Sequence, residues 1–245
     1  MFRTRATTTR PERNQADSRH PHDRHVAPVP RGDALIDWLD LAGLARFWMP
    51  YPGLTARWTE GSVAHDRRGR LHAVVHGMPL WRAEAGRIGG AVELDGFDDY
   101  LVAGNVLNPG AGPFTVFLWV KGGRPGQAIL SQSNKTGTGE VRLGTDAATG
   151  AILTRLTDGS RVTQPLVSDA IVTDGAWHCV RLVWDGSGRY LYVDGVEVAA
   201  DQRRLNALKS SHADFHFGAG KDLEPGSFWS GLLDELRVYG RAVMP

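Results

Sequence analysis

Residues 176–198 read AWHCVRLVWDGSGRYLYVDGVEV. Val180, Leu182 and Trp184 alternate with Cys179, Arg181 and Val183, the period-two pattern of a strand that turns one face to a core. Asp185-Gly186-Ser187-Gly188 then supplies residues that tolerate positive φ, and Tyr190 to Val193 brings the alternation back. The stretch is a hairpin. A second tight turn at Asp194-Gly195 reverses the chain into VEVAA, giving a three-strand meander. The charged run Asp201-Gln202-Arg203-Arg204 marks its last strand as a sheet edge.

Working outward, similar segments recur with turn punctuation: RLHAVVH (70–76), GAVELDG (90–96), YLVAG (100–104), FTVFLWVKG (114–122), QAILSQS (127–133) and EVRLGT (140–145). AILTRLT (151–157), RVTQPLV (161–167), DFHFGAG (214–220) and DELRVYG (234–240) continue the series. A dozen short strands, counting the hairpin's own two, predict antiparallel sheets packed as a sandwich. One helix is expected, in DALIDWLDLAG (33–43). Asp33 caps it, Leu35, Trp38, Leu39 and Ala42 share one face, and Gly43 stops it, so it reads as a docking helix. LARFWMPY (44–51) then opens an extended run closed by Pro50 and Pro52.

The 245 residues, 42% hydrophobic and 22% charged, suffice for one β-domain of about 200 residues with tails. Thirty glycines and thirteen prolines lie scattered between apolar runs, as many turns require, which excludes collagen-like and low-complexity chains. The single cysteine, Cys179, excludes an intrachain disulfide and reads as a small core residue. No window approaches the roughly 18–20 apolar residues of a membrane span, and residues 1–30 hold no apolar region of a Sec signal. Synthesis in the cytoplasm is the corresponding expectation.

The net charge of +1 hides an asymmetry: residues 1–32 carry seven arginines against Glu12, Asp17 and Asp23. This basic arm has too few apolar side chains to offset the entropy of ordering it, so alone it is expected to be disordered. Prolines at 11, 21, 28 and 30 interrupt any transit-peptide helix. The arm reads either as a solvated tail or as a segment that orders on a partner. With the 33–43 helix it would contact copies of the chain or the subunits of a particle; no specific nucleic-acid motif accompanies it.

The hairpin also carries a resemblance. Trp177-His178, an apolar strand, Asp-Gly and Leu-Tyr-Val-Asp-Gly resemble the strand pair of bacterial laminin-G-like, concanavalin A-like jelly rolls. GRIGGAVELDGFDDYLVA (86–103), FTVFLWVKG (114–122) and FWSGLLDELRVYGRAV (228–243) are similar to other blocks of that family, in its order. LARFWMPY fits its first strand. The resemblance implies an all-β, two-sheet jelly-roll sandwich over residues 44–245, preceded by the helix and the arm. That fold hosts lectins, adhesive modules, glycosidases and structural appendages, so it leaves function open.

Glycosidases on this fold carry carboxylates as Glu-x-Asp-x-x-Glu on one strand, and Glu93, Asp95 and Asp98 give a near match. Gly96 ends the strand, however, and puts Asp98 in a turn, off the face shared by the other two, so catalysis is not expected. Relatives often hold structural calcium near these parts of the chain. Asp95, Asp98, Asp99 and Asp234 match the positions and supply hard oxygens; the alternative is that the first three cap a turn and Asp234 binds backbone. Trp48, Trp119, Trp177 and Trp184 lie in apolar strands, and Trp81 and Trp229 match packing positions of the family. That leaves Trp58, with Tyr51 nearby, as the candidate aromatic contact for a sugar. The polar loop SNKTGTGE (133–140) is a further contact candidate. Zinc clusters and phosphate loops have no local signature. The expectation is a non-catalytic recognition module for a glycan or protein surface, using loops at one rim. The alternative is a structural component such as a phage virion surface protein docked by its arm.

Overall fold

Alternation at this spacing produces the expected two sheets. The computed structural model describes residues 71–104, 106–132, 140–158, 164–201 and 208–245, with Gly61 and the short strands at 45–48, 56–57, 63–64 and 161–162. In chain order the strands are β1 (Ala45–Trp48), β2 (Ala56–Arg57), β3 (Val63–Ala64), β4 (Ala73–His76), β5 (Leu80–Arg82) and β6 (Ala91–Asp95). Then come β7 (Tyr100–Ala103), β8 (Phe114–Gly122), β9 (Ala128–Gln132), β10 (Val141–Thr145), β11 (Ala151–Asp158) and β12 (Arg161–Val162). The last are β13 (Leu166–Ile171), β14 (Trp177–Trp184), β15 (Arg189–Val193), β16 (Val196–Asp201), β17 (Phe215–Phe217) and β18 (Ser230–Tyr239). A single 3-10 turn, Pro109–Ala111, is the helical element among the described residues. The arm (1–32), the helix expected at 33–43, Tyr51, Trp58 and the loop residues 133–139 lie outside them.

The first sheet runs β16-β15-β14-β8-β18-β6-β5-β2, and β1 pairs with the far half of β18. The second runs β12-β11-β10-β9-β17-β7-β4-β3, with β13 on β11. The opening meander is thus β14-β15-β16, with β16 at the edge as its charges predict. Asp194 and Gly195 both take left-handed φ, 53° and 82°, as the two central residues of the turn favoured by twisted hairpins must. The closing strand β18 changes partner at a bulge between Asp234 and Arg237: Ser230 to Leu233 pair with β6, and Leu236 to Tyr239 pair with β1.

Between the sheets, rows of opposed side chains form one core. Val75, Leu101, Phe217, Leu130 and Leu143 cross the second sheet as successive partners, facing Val116, Leu118, Leu182 and Leu191 of the first within one apolar cluster. Trp184 and Trp229 are buried in it, and Trp81 is buried as well.

The outer faces differ. On the first sheet, Tyr192, Arg181, Phe117 and Arg237 form a cross-strand row, and both guanidiniums lie over the Phe117 ring at 5.5 and 5.3 Å. Arg237 is ion-paired to buried Glu235, and Arg87 covers Trp119 at 4.9 Å. The C-terminal segment closes over this face: Val243 N donates to Thr115 Oγ1 at 2.9 Å, Arg181 donates to Val243 O at 3.3 Å, and Tyr192 OH reaches Met244 Sδ at 3.3 Å. Cys179 packs here, against Phe117 and Trp119, rather than in the core between the sheets. The alternation places it correctly on the face opposite Val180, but that face is itself covered. Burial pushes its thiol up to about 12, so it is unreactive near neutrality.

His178 pins the meander. Its Nδ1 lies 2.8 Å from Asp194 Oδ2 and its Nε2 3.0 Å from Asp174 Oδ1. Burial alone would lower the imidazole, but the two carboxylates outweigh it and raise the pKa above 6.5. The stability this group contributes is therefore fully present below pH 6.5 and lost as pH rises through the raised folded value. His178→Asn is expected to cost on the order of 1 kcal/mol at pH 5 and less at pH 9; urea unfolding at the two values checks it.

Candidate functional site

The turn after β6 gathers three of the acidic candidates. Gly96 takes φ +83°, and a Cβ there would lie 2.6 Å from the Ser230 Cβ, so only glycine ends the strand this way. Asp95 Oδ1 then accepts from the N–H groups of Phe97 (2.8 Å) and Asp98 (3.4 Å), closing an Asx turn. Asp99 folds back, its Oδ1 accepting from Met78 N at 2.7 Å and its Oδ2 from Asp95 N at 3.1 Å. Oxygens of Asp95, Asp98 and Asp99 come within 4.8 Å of one another. Burial raises the Asp99 carboxyl, the N–H of Met78 opposes this, and Asp95 adds to the rise. The donor set is of hard oxygens and suits a calcium ion.

Asp234 is not part of that group. Asp95 is opposite Ser230 in the register, and four residues of strand put Asp234 roughly 13 Å further along. There its Oδ2 accepts from Ile88 N at 3.0 Å and its Oδ1 from Glu235 N at 2.8 Å. The backbone-binding alternative describes it. Burial pushes its pKa up to about 6 despite those N–H groups. Glu93, the first carboxylate of the glycosidase-like triplet, is ion-paired with Arg82, and Asp98 lies in the turn, beyond the end of β6.

Among the described residues the outer face of the second sheet is half-open, exposed at Val74 on β4 and closed at Ser131 on β9. His76 and Tyr100 are cross-strand partners, their rings stacked at 4.5 Å and 9°. Tyr100 in turn lies 5.9 Å from the rings of both His216 and Phe228. Beside this stack runs a row of directly opposed residues across six strands: Val74, Val102, His216, Ser131, Arg142 and Arg155. Each alternates with core residues, so all point away from the other sheet. Val74 is 42% exposed, Val102, His216, Arg142 and Arg155 are half-buried, and Ser131 is buried, its Oγ donating to Ala219 O at 2.8 Å. Burial holds the His216 imidazole below the ordinary histidine value, Asp214 opposing and His76 reinforcing. An apolar cavity of about 40 Å³ lies between the sheets beside Val92, Leu118 and Phe217, large enough for a water or two and too small for a sugar ring.

None of these face residues was a sequence candidate. The available signal was a polar residue between core partners, as His216 between Phe215 and Phe217, or Arg142 between Val141 and Leu143. Such a pattern marks an outward face without telling whether that face is covered.

Residues 95–245 match the family model described as the Concanavalin A-like lectin/glucanases superfamily. No curated protein matches the chain in sequence. Among solved structures the chain is similar to the binding domain of Paraclostridial Mosquitocidal Protein 1, with TM-score 0.62, 14% identity, and coverage of 82% of this chain and 49% of that one. It is similar to domain 4 of AbnA, a GH43 extracellular arabinanase from Geobacillus stearothermophilus, in complex with arabinotriose, with TM-score 0.62, 19% identity and coverage of 82% and 96%. The botulinum neurotoxin serotype D binding domain gives TM-score 0.59, 14% identity and coverage of 82% and 48%. The chain therefore spans about half of the two toxin domains and nearly all of the AbnA domain. At these identities the likeness is one of fold.

The buried Asp234 carboxyl has a consequence in solution. A carboxyl raised from 3.8 to about 6 stabilises the fold fully below pH 3.8 and loses that contribution as pH rises through 6. Asp234→Asn is expected to flatten the difference in stability between pH 4 and pH 7 relative to the wild type, measured by thermal unfolding across that range.

Proposed function

Because the chain belongs to the Concanavalin A-like lectin/glucanases superfamily, we propose that it is a non-catalytic recognition module holding a glycan on the outer face of its second sheet. The observation that carries this reading is the contrast between faces. The first sheet's outer aromatics lie under guanidiniums and the C-terminal segment, while the His76–Tyr100–His216 stack stands on a half-open face. A sugar's apolar ring face packs on such a platform, and its hydroxyls find donors and acceptors beside it. This reading puts the site on a sheet, whereas the sequence favours the rim loops. A non-catalytic role is supported by Glu93, engaged with Arg82, and by the break that removes Asp98 from its face.

The rim turn has a supporting role in this reading. Asp95, Asp98 and Asp99 would hold a calcium ion, whose charge would offset their mutual repulsion and stiffen the turn between β6 and β7. Calcium at about a hundred times its Kd is then expected to raise the melting temperature by roughly 5–10 °C, and Asp98→Asn to lose most of that rise. A melting temperature indifferent to calcium and to chelator would remove the metal from the account.

The glycan reading is tested by a glycan array followed by calorimetric titration of the best binder, with arabinotriose included. Tyr100→Ala is expected to weaken binding on the order of tenfold or more while leaving the fold intact by circular dichroism. Binding unaffected by Tyr100→Ala and His216→Ala together would move the site elsewhere.

A further inference from the structure

Arg142 and Arg155 are direct cross-strand partners on β10 and β11, both on the open face. Like charges directly opposite one another destabilise a sheet. Among the described residues neither guanidinium forms an ion pair. Arg142 donates one hydrogen bond, to Gly126 O at 3.3 Å. Glu140, Glu224 and Asp222 act on it from a distance, but burial and Arg155 prevail and pull its pKa below the ordinary arginine value. Among the described residues the buried Arg155 Nε has no partner, and neither does the buried His216 Nδ1 in the same row.

A side chain of Ser227, whose Oγ also lacks a partner, flanks Gly220 together with Arg142. The row itself contains no carboxylate: it reads Val74, Val102, His216, Ser131, Arg142, Arg155. His216 and Arg142 are two inter-strand spacings apart and His216 and Arg155 three, roughly 10 and 15 Å. A ligand that stacks on the rings and reaches the guanidiniums must therefore be longer than one sugar and lie across the strands.

We propose that this face takes an acidic oligosaccharide, a carboxylate of which is held by the Arg142–Arg155 pair while a neighbouring sugar ring packs on the His76–Tyr100–His216 stack. The inference rests on the glycan reading above and adds the ligand's charge, its direction and the residues that read it. Guanidinium and carboxylate match in plane and in donor spacing, which suits Arg rather than Lys at both positions. Relief of the like-charge repulsion on binding would then contribute to affinity.

The test uses the full chain and a panel of galacturonate, glucuronate and sialylated oligosaccharides, each beside its neutral methyl ester. Affinity is read by calorimetry, and the location by amide chemical-shift changes. The expected result is that at least one acid binds on the order of tenfold or more tighter than its ester. Arg155→Gln should abolish that difference while raising the melting temperature, because it removes a like-charge pair. A role confined to folding would not couple a loss of affinity to a gain in stability. Acid and ester binding equally at this face, with Arg142→Gln and Arg155→Gln both neutral, would overturn the inference and leave the glycan reading standing. No saccharide of either kind perturbing His216, Ser131 or Arg142 would overturn both. An acidic peptide competing for the face when no saccharide does would assign it to a protein partner instead.

Discussion

Seven consecutive residues of β8, Phe114 to Val120, are buried, on both faces of one strand. Phe114, Val116, Leu118 and Val120 fill the space between the sheets, and Phe117 and Trp119 are covered from the other side. Burying a large side chain on each face contributes about 1.5–3 kcal/mol per residue, so β8 is the axis on which the first sheet is assembled. The covering is specific. Arg181 and Arg237 flank Phe117 from the two neighbouring strands, Arg87 covers Trp119, and the segment around Val243 is held by Thr115 and Arg181. A face closed this way offers little surface, which supports the proposal that recognition uses the other sheet.

The second sheet shows the opposite distribution. Its inner side chains are as buried as those of β8, but its outer side carries a ring stack, unpartnered polar atoms and an opposed pair of arginines. Such groups reduce the stability of an isolated domain, and proteins retain them where a ligand completes them. The rim turn at Asp95–Asp99 has the same character: three carboxylates are held close by a turn that only Gly96 permits. The rim and the open face share Tyr100 as the residue that follows the turn, so calcium and ligand would stiffen adjacent parts of the same strand.

Much of this was legible in the sequence because it is local. The meander at 177–201 follows from alternation and from two turns whose chemistry admits one geometry. Asp95, Asp98 and Asp99 come together because three and four residues around a turn cannot separate far. Asp234 fits the family's position but not the cluster, since its distance from Asp95 depends on how β18 registers on β6, which alternation does not specify. Cys179 was assigned to the right strand face, but the covering of that face comes from residues more than sixty positions away. The open face was hidden for the same reason. Its row joins β4, β7, β17, β9, β10 and β11, and apart from the consecutive β9, β10 and β11 these strands are neighbours only after the chain has crossed between sheets. His216 and Arg142 each look like an isolated polar residue in an apolar strand until the register sets them two strands apart.

The central claim is that the outer face of the second sheet, and not the rim or the covered sheet, is the binding surface. The most direct measurement is the amide hydrogen-exchange footprint of whichever saccharide binds most tightly. The account predicts protection concentrated at Tyr100, Val102, His216, Ser131 and Arg142, with exchange at Val243 and Met244 unchanged. Protection confined to the C-terminal segment, or to the turn at Phe97 and Asp98, would contradict it.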